Sequence, residues 1–344
     1  MLLNFLFSLT GVGVIYVFCC VALLKWQNRF VFVPSSELKK NPHDFNLDYE
    51  EIWISVGEEN ESRSSDRSER GQNTLDKIHG WWIPSPNRDR RNEKTILFFH
   101  GNAFNIGANL KQTVVFHRLG LSVLMIDYRG YGKSKGQFPT ESQVYEDAQI
   151  ALDYLTEQKN ISHREIIIYG HSLGGAIAIE LATKNPDLAA LIIQGSFTSL
   201  REMVDHDKIY NIFPVDLLLN HYFDSINKIV ELQMPLLFVH GDADRRVPAW
   251  MSQTLYETAK TALKDLYIVP EGDHDRIAEI GGEDYYGKLE EFITSVTNHQ
   301  SSVTSDALRP LSEVETSLPK SQQRCSEAVE RSRNEPAEES PAMP

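Results

Sequence analysis

The distribution of apolar positions divides the chain into three parts. The first is an apolar run without a charge before Lys25, the second contains many short apolar runs, and the third is rich in Ser, Glu, Gln, Pro and Arg. A helix formed by the first run is long enough to span a bilayer core of about 30 Å, whereas the third part has too little apolar surface to fold. The pattern predicts a transmembrane anchor and flank at 1–28, a folded domain at 29–297 and a disordered tail at 298–344.

A cleaved signal peptide is the alternative interpretation of the first run. It would require a basic start, a shorter apolar stretch and a small-residue cleavage site, but this run starts uncharged and ends in Leu-Leu-Lys-Trp. Positive charges at Lys25, Arg29, Lys39 and Lys40 all follow the run. By the positive-inside rule, they favour a single-pass membrane protein whose folded domain faces the cytoplasm.

The folded domain is predicted to be a doubly wound α/β domain. Its apolar runs are continuous rather than alternating, as in parallel strands that are buried on both faces. These runs lie at 95–100, 121–128, 165–170, 188–195, 235–241 and 265–270. The segments between them, such as 141–159 and 173–184, have helical spacing. Alternating strands and helices are typical of a mostly parallel sheet with helices on both faces.

Two further segments extend this pattern. Residues 51–56 and 78–83 are predicted to be strands that pair with each other, and the charged stretch 57–76 between them is predicted to be a flexible excursion. The connection at 196–230 is longer than a crossover requires and carries many apolar side chains. This insertion either forms a lip over the strand ends or packs as an ordinary core helix.

Composition argues against several classes of function. The net charge of −14 and the isoelectric point near 5.3 disfavour nucleic-acid binding. Cys19 and Cys20 lie in the apolar run and Cys325 lies in the tail, so a disulfide framework is not expected. The sequence has no H-E-x-x-H, C-x-x-C or P-loop pattern, and no G-x-G-x-x-G after a first strand. Neither a metal nor another cofactor is therefore predicted.

The strongest chemical signal is the G-x-S-x-G set at 170–174, which follows one predicted strand and precedes a predicted helix. In this context the serine occupies a sharp turn that places its hydroxyl above the sheet, and crowding requires glycine on either side. A serine hydroxyl needs a neighbouring base, usually a histidine that is oriented by a carboxylate. Ser172 is the predicted nucleophile.

The base and the acid are expected in loops after later strands, in the chain order Ser, Asp or Glu, His. His274 follows the last predicted strand, and the only other histidine beyond that strand is His299, at the start of the tail. His274 is therefore the predicted general base. Asp242 and Asp244 share the loop after the preceding strand, and their positions alone leave both open as the acid.

Two backbone N–H groups must face the oxygen that becomes negative in the tetrahedral intermediate. Leu173 supplies one because it directly follows the nucleophile. The turn His-Gly-Asn-Ala at 100–103 follows the first predicted parallel strand. We expect it to present the second N–H group from Asn102, or from Ala103 if the turn is shifted by one residue.

Other features beside these motifs are interpreted as structural. His100, His171 and His240 each adjoin a motif glycine or serine, and we expect them to hold loop geometry rather than to transfer protons. The stretch 127–132 follows a predicted strand; it is interpreted as a structural turn, and a loop that borders the site is the alternative.

Taken together, these motifs resemble those of the membrane-anchored α/β-hydrolase-domain serine hydrolases. The matching segments are HGNAFNIG at 100–107, DYRGYGKSKG at 127–136, GHSLGG at 170–175, HGDADRRVP at 240–248 and GDHD at 272–275. The resemblance extends over about 29–297 and implies the α/β-hydrolase fold. It also selects Asp244 over Asp242 as the acid and favours Asn102 and Leu173 as the oxyanion-hole donors.

Relatives in this family include acylglycerol lipases and protein depalmitoylating thioesterases, so the resemblance implies hydrolysis of an ester or thioester. The apolar insertion and the anchor favour a lipid or an acylated substrate over other small-molecule esters. A serine peptidase would use the same triad, and a non-catalytic membrane-anchored scaffold would keep only the fold. The complete set of Ser172, Asp244 and His274 favours an enzyme over a scaffold.

Overall fold

A single mixed sheet lies at the centre of the fold. Within residues 2–57, 76–87 and 94–307, which the computed structural model of the chain describes, it contains eight strands. These strands are β2 (Glu50–Ser55), β3 (Lys77–Ile83), β4 (Thr95–Phe99), β6 (Ser122–Ile126), β7 (Ile166–His171), β8 (Ala190–Gln194), β9 (Leu236–Gly241) and β10 (Lys264–Val269). Two short strands, β1 (Val33–Pro34) and β5 (Ala103–Phe104), pair in parallel outside this sheet.

The strand order is β10-β9-β8-β7-β4-β6-β3-β2. β2 pairs antiparallel with β3, and β3 pairs antiparallel with β6, whereas every other pairing in this sheet is parallel. The predicted mostly parallel sheet with antiparallel N-terminal strands is therefore confirmed. The carboxyl ends of the parallel strands lie at one edge, where the connecting loops can bring distant residues together.

Helices connect the strands and cover the sheet. They are α1 (Leu2–Trp26), α2 (Asn28–Val31), α3 (Leu110–Arg118), α4 (Glu141–Asp153), α5 (Leu173–Lys184), α6 (Leu200–His206), α7 (Val215–Leu218), α8 (Ser225–Lys228), α9 (Ala249–Thr258) and α10 (Ile277–Ala307). Thr140 caps α4, since its hydroxyl accepts a hydrogen bond from the N–H of Gln143. α10 contains a break at Gly282, where φ is 50°.

The core lies between the sheet and the helices on its two faces. All five residues of β4 and all five of β8 are buried, as the continuous apolar runs predicted. α5 follows β7 directly and packs against both β7 and β8 through small and branched side chains such as Ala178 and Ile177. Each fully buried branched or aromatic side chain contributes about 1.5–3 kcal/mol to stability. The packing of α5 on β7 and β8 therefore holds the first residues of α5 in a fixed position.

The N-terminal apolar run forms α1, which ends at Trp26. Among the residues for which the structure gives a full description, no helix is both long and apolar enough to cross a membrane.

One compact unit of the chain ends at Ile293, and a second unit begins at Thr294. In the second unit α10 continues to Ala307, so the helix extends beyond residue 297, after which the sequence predicted disorder. An established helix gains one hydrogen bond for each residue added, and composition alone therefore does not show where such a helix ends. Residues 58–75 of the predicted excursion and residues 308–344 of the predicted tail lie outside the described residues.

Candidate active site

Ser172 occupies the turn between β7 and α5. Its backbone angles, φ 55° and ψ −120°, lie in a region that residues other than glycine rarely adopt. The Ser172 N–H donates to the carbonyl of Gln194 at 2.9 Å. The Ser172 carbonyl accepts from the N–H of Gly175 and from the hydroxyl of Ser196, both at 2.9 Å. These three bonds hold the strained turn in place.

The glycines on either side of this turn are required by close packing. A Cβ atom on Gly170 would overlap the carbonyl of Gly174, and a Cβ atom on Gly174 would overlap the carbonyl of Phe99. The crowding that the G-x-S-x-G pattern predicted is therefore present at both positions.

His274 and Asp244 meet in a hydrogen bond of 2.6 Å between Nδ1 and Oδ2. Asp244 follows β9 and His274 follows β10, and these two strands are neighbours in the sheet. Because a carboxylate can only accept, the ring proton lies on Nδ1 and donates to Asp244. The lone pair of Nε2 therefore remains available, as a general base requires.

The Asp244 carboxylate has further partners. Its Oδ1 accepts from the N–H groups of Arg246 at 2.8 Å and Val247 at 2.9 Å, and its Oδ2 lies 3.3 Å from Nε2 of His240. Burial of Asp244 favours the neutral acid, but the hydrogen bonds from His240 and His274 outweigh it and hold the pKa of Asp244 below its usual range. Asp244 therefore stays ionised at neutral pH.

Asp242 takes a different position in the same loop. It is exposed, and its Oδ1 accepts the N–H of Glu271 at 2.7 Å. The structure thus brings Asp244 rather than Asp242 to His274, in line with the residue that the family resemblance selects.

Two contacts place His274 beside the turn that contains Ser172, the predicted nucleophile. The first contact is at Gly195, which follows Gln194, the residue whose carbonyl accepts from the Ser172 N–H. The ring of His274 lies so close to Gly195 that a Cβ atom there would be only 3.6 Å from Cε1 and Nδ1 of His274. His171, the residue before Ser172, donates from Nε2 to the carbonyl of His274 at 3.0 Å, and the two rings have centroids 4.9 Å apart. The turn of Ser172 and the pair formed by Asp244 and His274 therefore lie next to each other at the carboxyl edge of the sheet.

His171 is a neutral support in this arrangement. Burial, together with the nearby His274, lowers the pKa of His171 to about 3. Its single ring proton is used in the bond to the His274 carbonyl. This position agrees with the expectation that His171 holds loop geometry.

The two predicted oxyanion donors lie at one cavity, which both Asn102 and Leu173 line. Leu173 begins α5, and the first N–H groups of a helix have no partner within the helix. The carbonyl of Gly101 accepts from Nδ1 of His100 at 2.7 Å. In a trans peptide the N–H points opposite to the carbonyl, so the Asn102 N–H is directed away from His100.

Two buried tyrosines support the loop that contains Asn102. The hydroxyl of Tyr131 donates to the Asn102 carbonyl at 2.7 Å, and the hydroxyl of Tyr128 donates to the His100 carbonyl at 3.0 Å. Asp127 accepts the N–H of Ile106 at 2.9 Å on the far side of the same loop. The stretch 127–132 was interpreted from the sequence as a structural turn, and these bonds were not predicted. The only available signal was a pair of tyrosines directly after a strand.

Comparison with known proteins identifies the family. Arabidopsis thaliana WAV2, described as an alpha/beta hydrolase domain-containing protein, is 31% identical over 296 residues, which are 80% of this chain and 90% of WAV2. Protein bem46 of Schizosaccharomyces pombe is 32% identical over 79% of this chain and 87% of its own length. The chain belongs to the α/β-hydrolase family.

Two further comparisons agree with this assignment to the α/β-hydrolases. The family model Hydrolase_4, described as serine aminopeptidase, S33, matches residues 90–227. The esterase Pf2001 of Pyrococcus furiosus superimposes with a TM-score of 0.60 at 19% identity, over 77% of this chain and 97% of that one. At this level of identity the superposition shows a shared fold, and it confirms the predicted α/β-hydrolase fold.

The cavity beside the predicted oxyanion donors of this α/β-hydrolase has a volume of about 290 Å³. Its lining is mostly apolar and comes largely from the N-terminal segment and from the insertion at 196–230. The lining includes Leu23, Phe30, Val31, Phe197, Leu200 and Met203. The insertion reaches this cavity through Phe197, Leu200 and Met203, and it also packs into the core through Phe223 and Ile229, which are fully buried.

The groups gathered here are a hydroxyl, an imidazole, a carboxylate and backbone N–H donors, which together suit nucleophilic attack with proton transfer. Among the described residues, no group of three or more His, Cys, Asp or Glu is arranged to hold a metal ion.

Proposed function

We propose that the protein is a serine hydrolase that cleaves carboxylic ester or thioester bonds through an acyl-Ser172 intermediate. The observation that carries this proposal is the 2.6 Å bond between His274 and Asp244, which leaves Nε2 free beside the strained serine turn. The description of the structurally similar Pyrococcus furiosus protein as an esterase supports the same class of reaction.

In the first half of the reaction, Oγ of Ser172 attacks the acyl carbonyl carbon while its proton passes to Nε2 of His274. The ionised Asp244 stabilises the imidazolium, and the N–H groups of Asn102 and Leu173 stabilise the oxyanion. The tetrahedral intermediate then collapses. The bond to the leaving oxygen or sulfur breaks, and the leaving group takes the proton from His274.

In the second half, water attacks the carbonyl carbon of the acyl-serine while His274 accepts a proton from it. The second tetrahedral intermediate breaks the bond to Oγ, and His274 returns the proton to Ser172. The products are a carboxylic acid and an alcohol or thiol, and the enzyme is regenerated without a cofactor.

An active-site-directed fluorophosphonate probe tests the nucleophile. We expect the wild type to be labelled and Ser172→Ala to lose labelling completely, since the probe phosphonylates an activated serine. Ser142→Ala removes an exposed hydroxyl far from the motif and serves as the matched control that retains labelling. Absence of labelling in folded wild-type protein would reject the enzyme and favour a non-catalytic scaffold.

A substrate series with one acyl group distinguishes the bond that is cleaved. An oxygen ester, a thioester and a peptide amide would be compared by kcat/KM under identical conditions. We expect the ester or the thioester to be hydrolysed fastest, because the cavity is apolar and offers few partners for a peptide backbone. Faster hydrolysis of the amide would replace this assignment with a serine peptidase.

We also infer that residues 1–28 anchor the protein in a membrane, with the catalytic domain on the cytoplasmic side. The uncharged apolar run and the positive charges after it support this proposal. Saccharomyces cerevisiae YNL320W, described as an uncharacterized membrane protein, is 29% identical over 85% of this chain and 95% of its own length. Carbonate extraction should leave the full chain in the membrane pellet, and recovery in the supernatant would refute the anchor. Protease protection of a C-terminal tag in sealed vesicles tests the side.

A further inference from the structure

The geometry points to an acyl-chain pocket that the N-terminal helix and the insertion at 196–230 form together. We propose that the acyl chain of the substrate binds between the C-terminal end of α1 and this insertion, so that α1 determines chain-length selectivity. This inference rests on the proposed hydrolase function and goes further by naming a medium- or long-chain fatty acyl group as the part of the substrate that is recognised.

Directional hydrogen bonds join the end of α1 to the insertion. The side chain of Gln27 makes two of them: Nε2 donates to the carbonyl of Leu218 at 3.0 Å, and Oε1 accepts the N–H of Asn220 at 2.7 Å. The next residue, Asn28, accepts from Nε2 of His221 at 2.6 Å. The residues that follow the apolar run are therefore held in a defined position on the hydrolase domain, whereas a flexible tether would leave them free to move.

The contact continues along the helix. The hydroxyl of Tyr16 donates to the carbonyl of Ile212 at 3.0 Å, and its ring stacks on Phe213 with the centroids 5.8 Å apart. Tyr16 precedes Gln27 by eleven residues, which corresponds to about 16 Å along an α-helix. The insertion thus follows α1 for about half of the roughly 30 Å thickness of a bilayer core.

Residues from both contacts line the cavity, Gln27 and Leu218 from the first and Phe213 from the second. Leu23 of α1 lines it from one side and Met203 of the insertion lines it from the other, and the same cavity reaches Asn102 and Leu173. An acyl carbonyl held by the N–H groups of Asn102 and Leu173 would therefore have its hydrocarbon chain at the entrance of this pocket. The volume of about 290 Å³ is near the lower end of the range of about 300–1,000 Å³ for small-molecule pockets.

The chemistry of the lining favours a hydrocarbon chain. Most of the lining is apolar; of its polar side chains, Asp207 is exposed, and both polar ends of the Gln27 amide are already bonded to the insertion, so the amide does not require a partner from the substrate. A peptide backbone bound here would bury N–H and C=O groups against mostly apolar side chains, which is unfavourable unless each group finds a partner. A methylene chain has no such cost, and each CH₂ group that moves from water into the pocket favours binding.

The outer surface of the insertion is apolar as well. Ile209, Ile212 and Leu217 expose 67%, 70% and 79% of their surface. Because the insertion lies alongside α1, a bilayer that surrounds α1 would also contact these side chains. An acyl chain would then pass from lipid to the pocket without crossing water.

Chain-length selectivity of the full-length protein in detergent micelles tests the pocket. The substrates are p-nitrophenyl acetate and p-nitrophenyl octanoate, and the measured quantity is the octanoate-to-acetate ratio of kcat/KM. Leu23→Trp fills the pocket from α1, and Met203→Trp fills it from the insertion. We expect each change to lower the ratio at least tenfold. Leu23→Ala enlarges the pocket and should raise turnover of dodecanoate relative to octanoate.

The matched control is Leu24→Trp, the same substitution one residue along, at a side chain that is 38% exposed and does not line the cavity. Its ratio should stay within twofold of wild type. Octanoyl glycerol and an S-octanoyl cysteine peptide, assayed in parallel, distinguish a lipid from an acylated protein as the source of the chain. We expect Leu23→Trp to lower kcat/KM for whichever of these two octanoyl substrates the wild type hydrolyses.

Fluorophosphonate labelling of each variant separates the possible failures. A Leu23→Trp or Met203→Trp protein that still labels is folded and has an intact nucleophile. If such proteins keep the wild-type chain-length ratio, the shared pocket is refuted while the hydrolase function stands. If the wild type neither labels nor hydrolyses acetate, the proposed function itself fails.

Discussion

Replacing Asp244 by Asn tests the proposed triad most directly, because the two side chains have the same shape. With the amide oxygen toward the N–H groups of Arg246 and Val247, the amide nitrogen would face Nδ1 of His274. Two donors cannot share a hydrogen bond, so the His274 proton would move to Nε2, where it blocks uptake of the Ser172 proton. The reversed amide would place its nitrogen against two backbone donors instead.

The expected magnitude follows from comparing two effects. Loss of a hydrogen bond to a charged group costs about 1.5–3 kcal/mol, or roughly 10- to 160-fold in rate. Loss of the correct histidine tautomer in a serine triad costs about 10⁴-fold in kcat. Since Asn forces the tautomer change in the favoured orientation, the second effect dominates. We expect kcat to fall by about 10³ to 10⁴, with KM changed by less than about threefold.

Asp242→Asn is the matched control, since it makes the same change in the same loop. Asp242 is exposed, and the bond from the Glu271 N–H goes to an oxygen that asparagine retains. Steady-state hydrolysis of p-nitrophenyl octanoate gives kcat and KM, and the rate of fluorophosphonate labelling gives an independent measure of serine reactivity. The reasoning is refuted if Asp244→Asn retains more than a tenth of wild-type kcat, or if Asp242→Asn is the variant that loses activity.

Two further predictions concern the supports of the site. Tyr131→Phe removes the hydroxyl that donates to the Asn102 carbonyl. If this hydrogen bond contributes about 1 kcal/mol to transition-state stabilisation, kcat should fall about fivefold at constant KM. A change confined to KM would contradict a role of Tyr131 in positioning the loop that contains Asn102. Burial lowers the pKa of His171 to about 3, so His171 should make the folded protein less stable as the pH falls. Between about pH 6.5 and 3 the unfolded chain binds a proton that the folded chain does not, so the free energy of unfolding falls as pH falls, by up to about 1.4 kcal/mol per unit. His171→Gln should therefore lose less melting temperature than wild type between pH 7.5 and 5.5, and an equal loss would show that His171 is not responsible.

Much of the fold could be predicted because burial on both faces leaves continuous apolar runs in the sequence. The helix predicted at 173–184 has the same bounds as α5, and the strand predicted at 165–170 differs from β7 by one residue at each end. The order of the strands could not be predicted, since pairing depends on how the crossovers pack. The extent of α10 also required the structure, because helix elongation depends on the turn before it.

The residues of the candidate site could be predicted where their neighbours in the sequence identify them. Ser172 is determined by its neighbouring glycines, and His274 by its position after the last strand. The difference between Asp242 and Asp244 depends on the direction in which one loop turns, which the residues alone do not reveal. The tyrosines at 128 and 131 were interpreted only as part of a turn, because their hydroxyl partners are carbonyls about thirty positions earlier in the chain.

The role of the N-terminal segment shows most clearly what sequence patterns omit. Hydropathy predicts an anchor at 1–28 and a folded domain at 29–297. The cavity beside Asn102 is nevertheless lined by Gln27 on one side of that boundary and by Phe30 and Val31 on the other. A boundary drawn by composition thus passes through the lining of the site. Deleting the segment would open this cavity as well as remove the proposed anchor, so activity measured on such a truncated protein would not represent the chain-length selectivity of the whole chain.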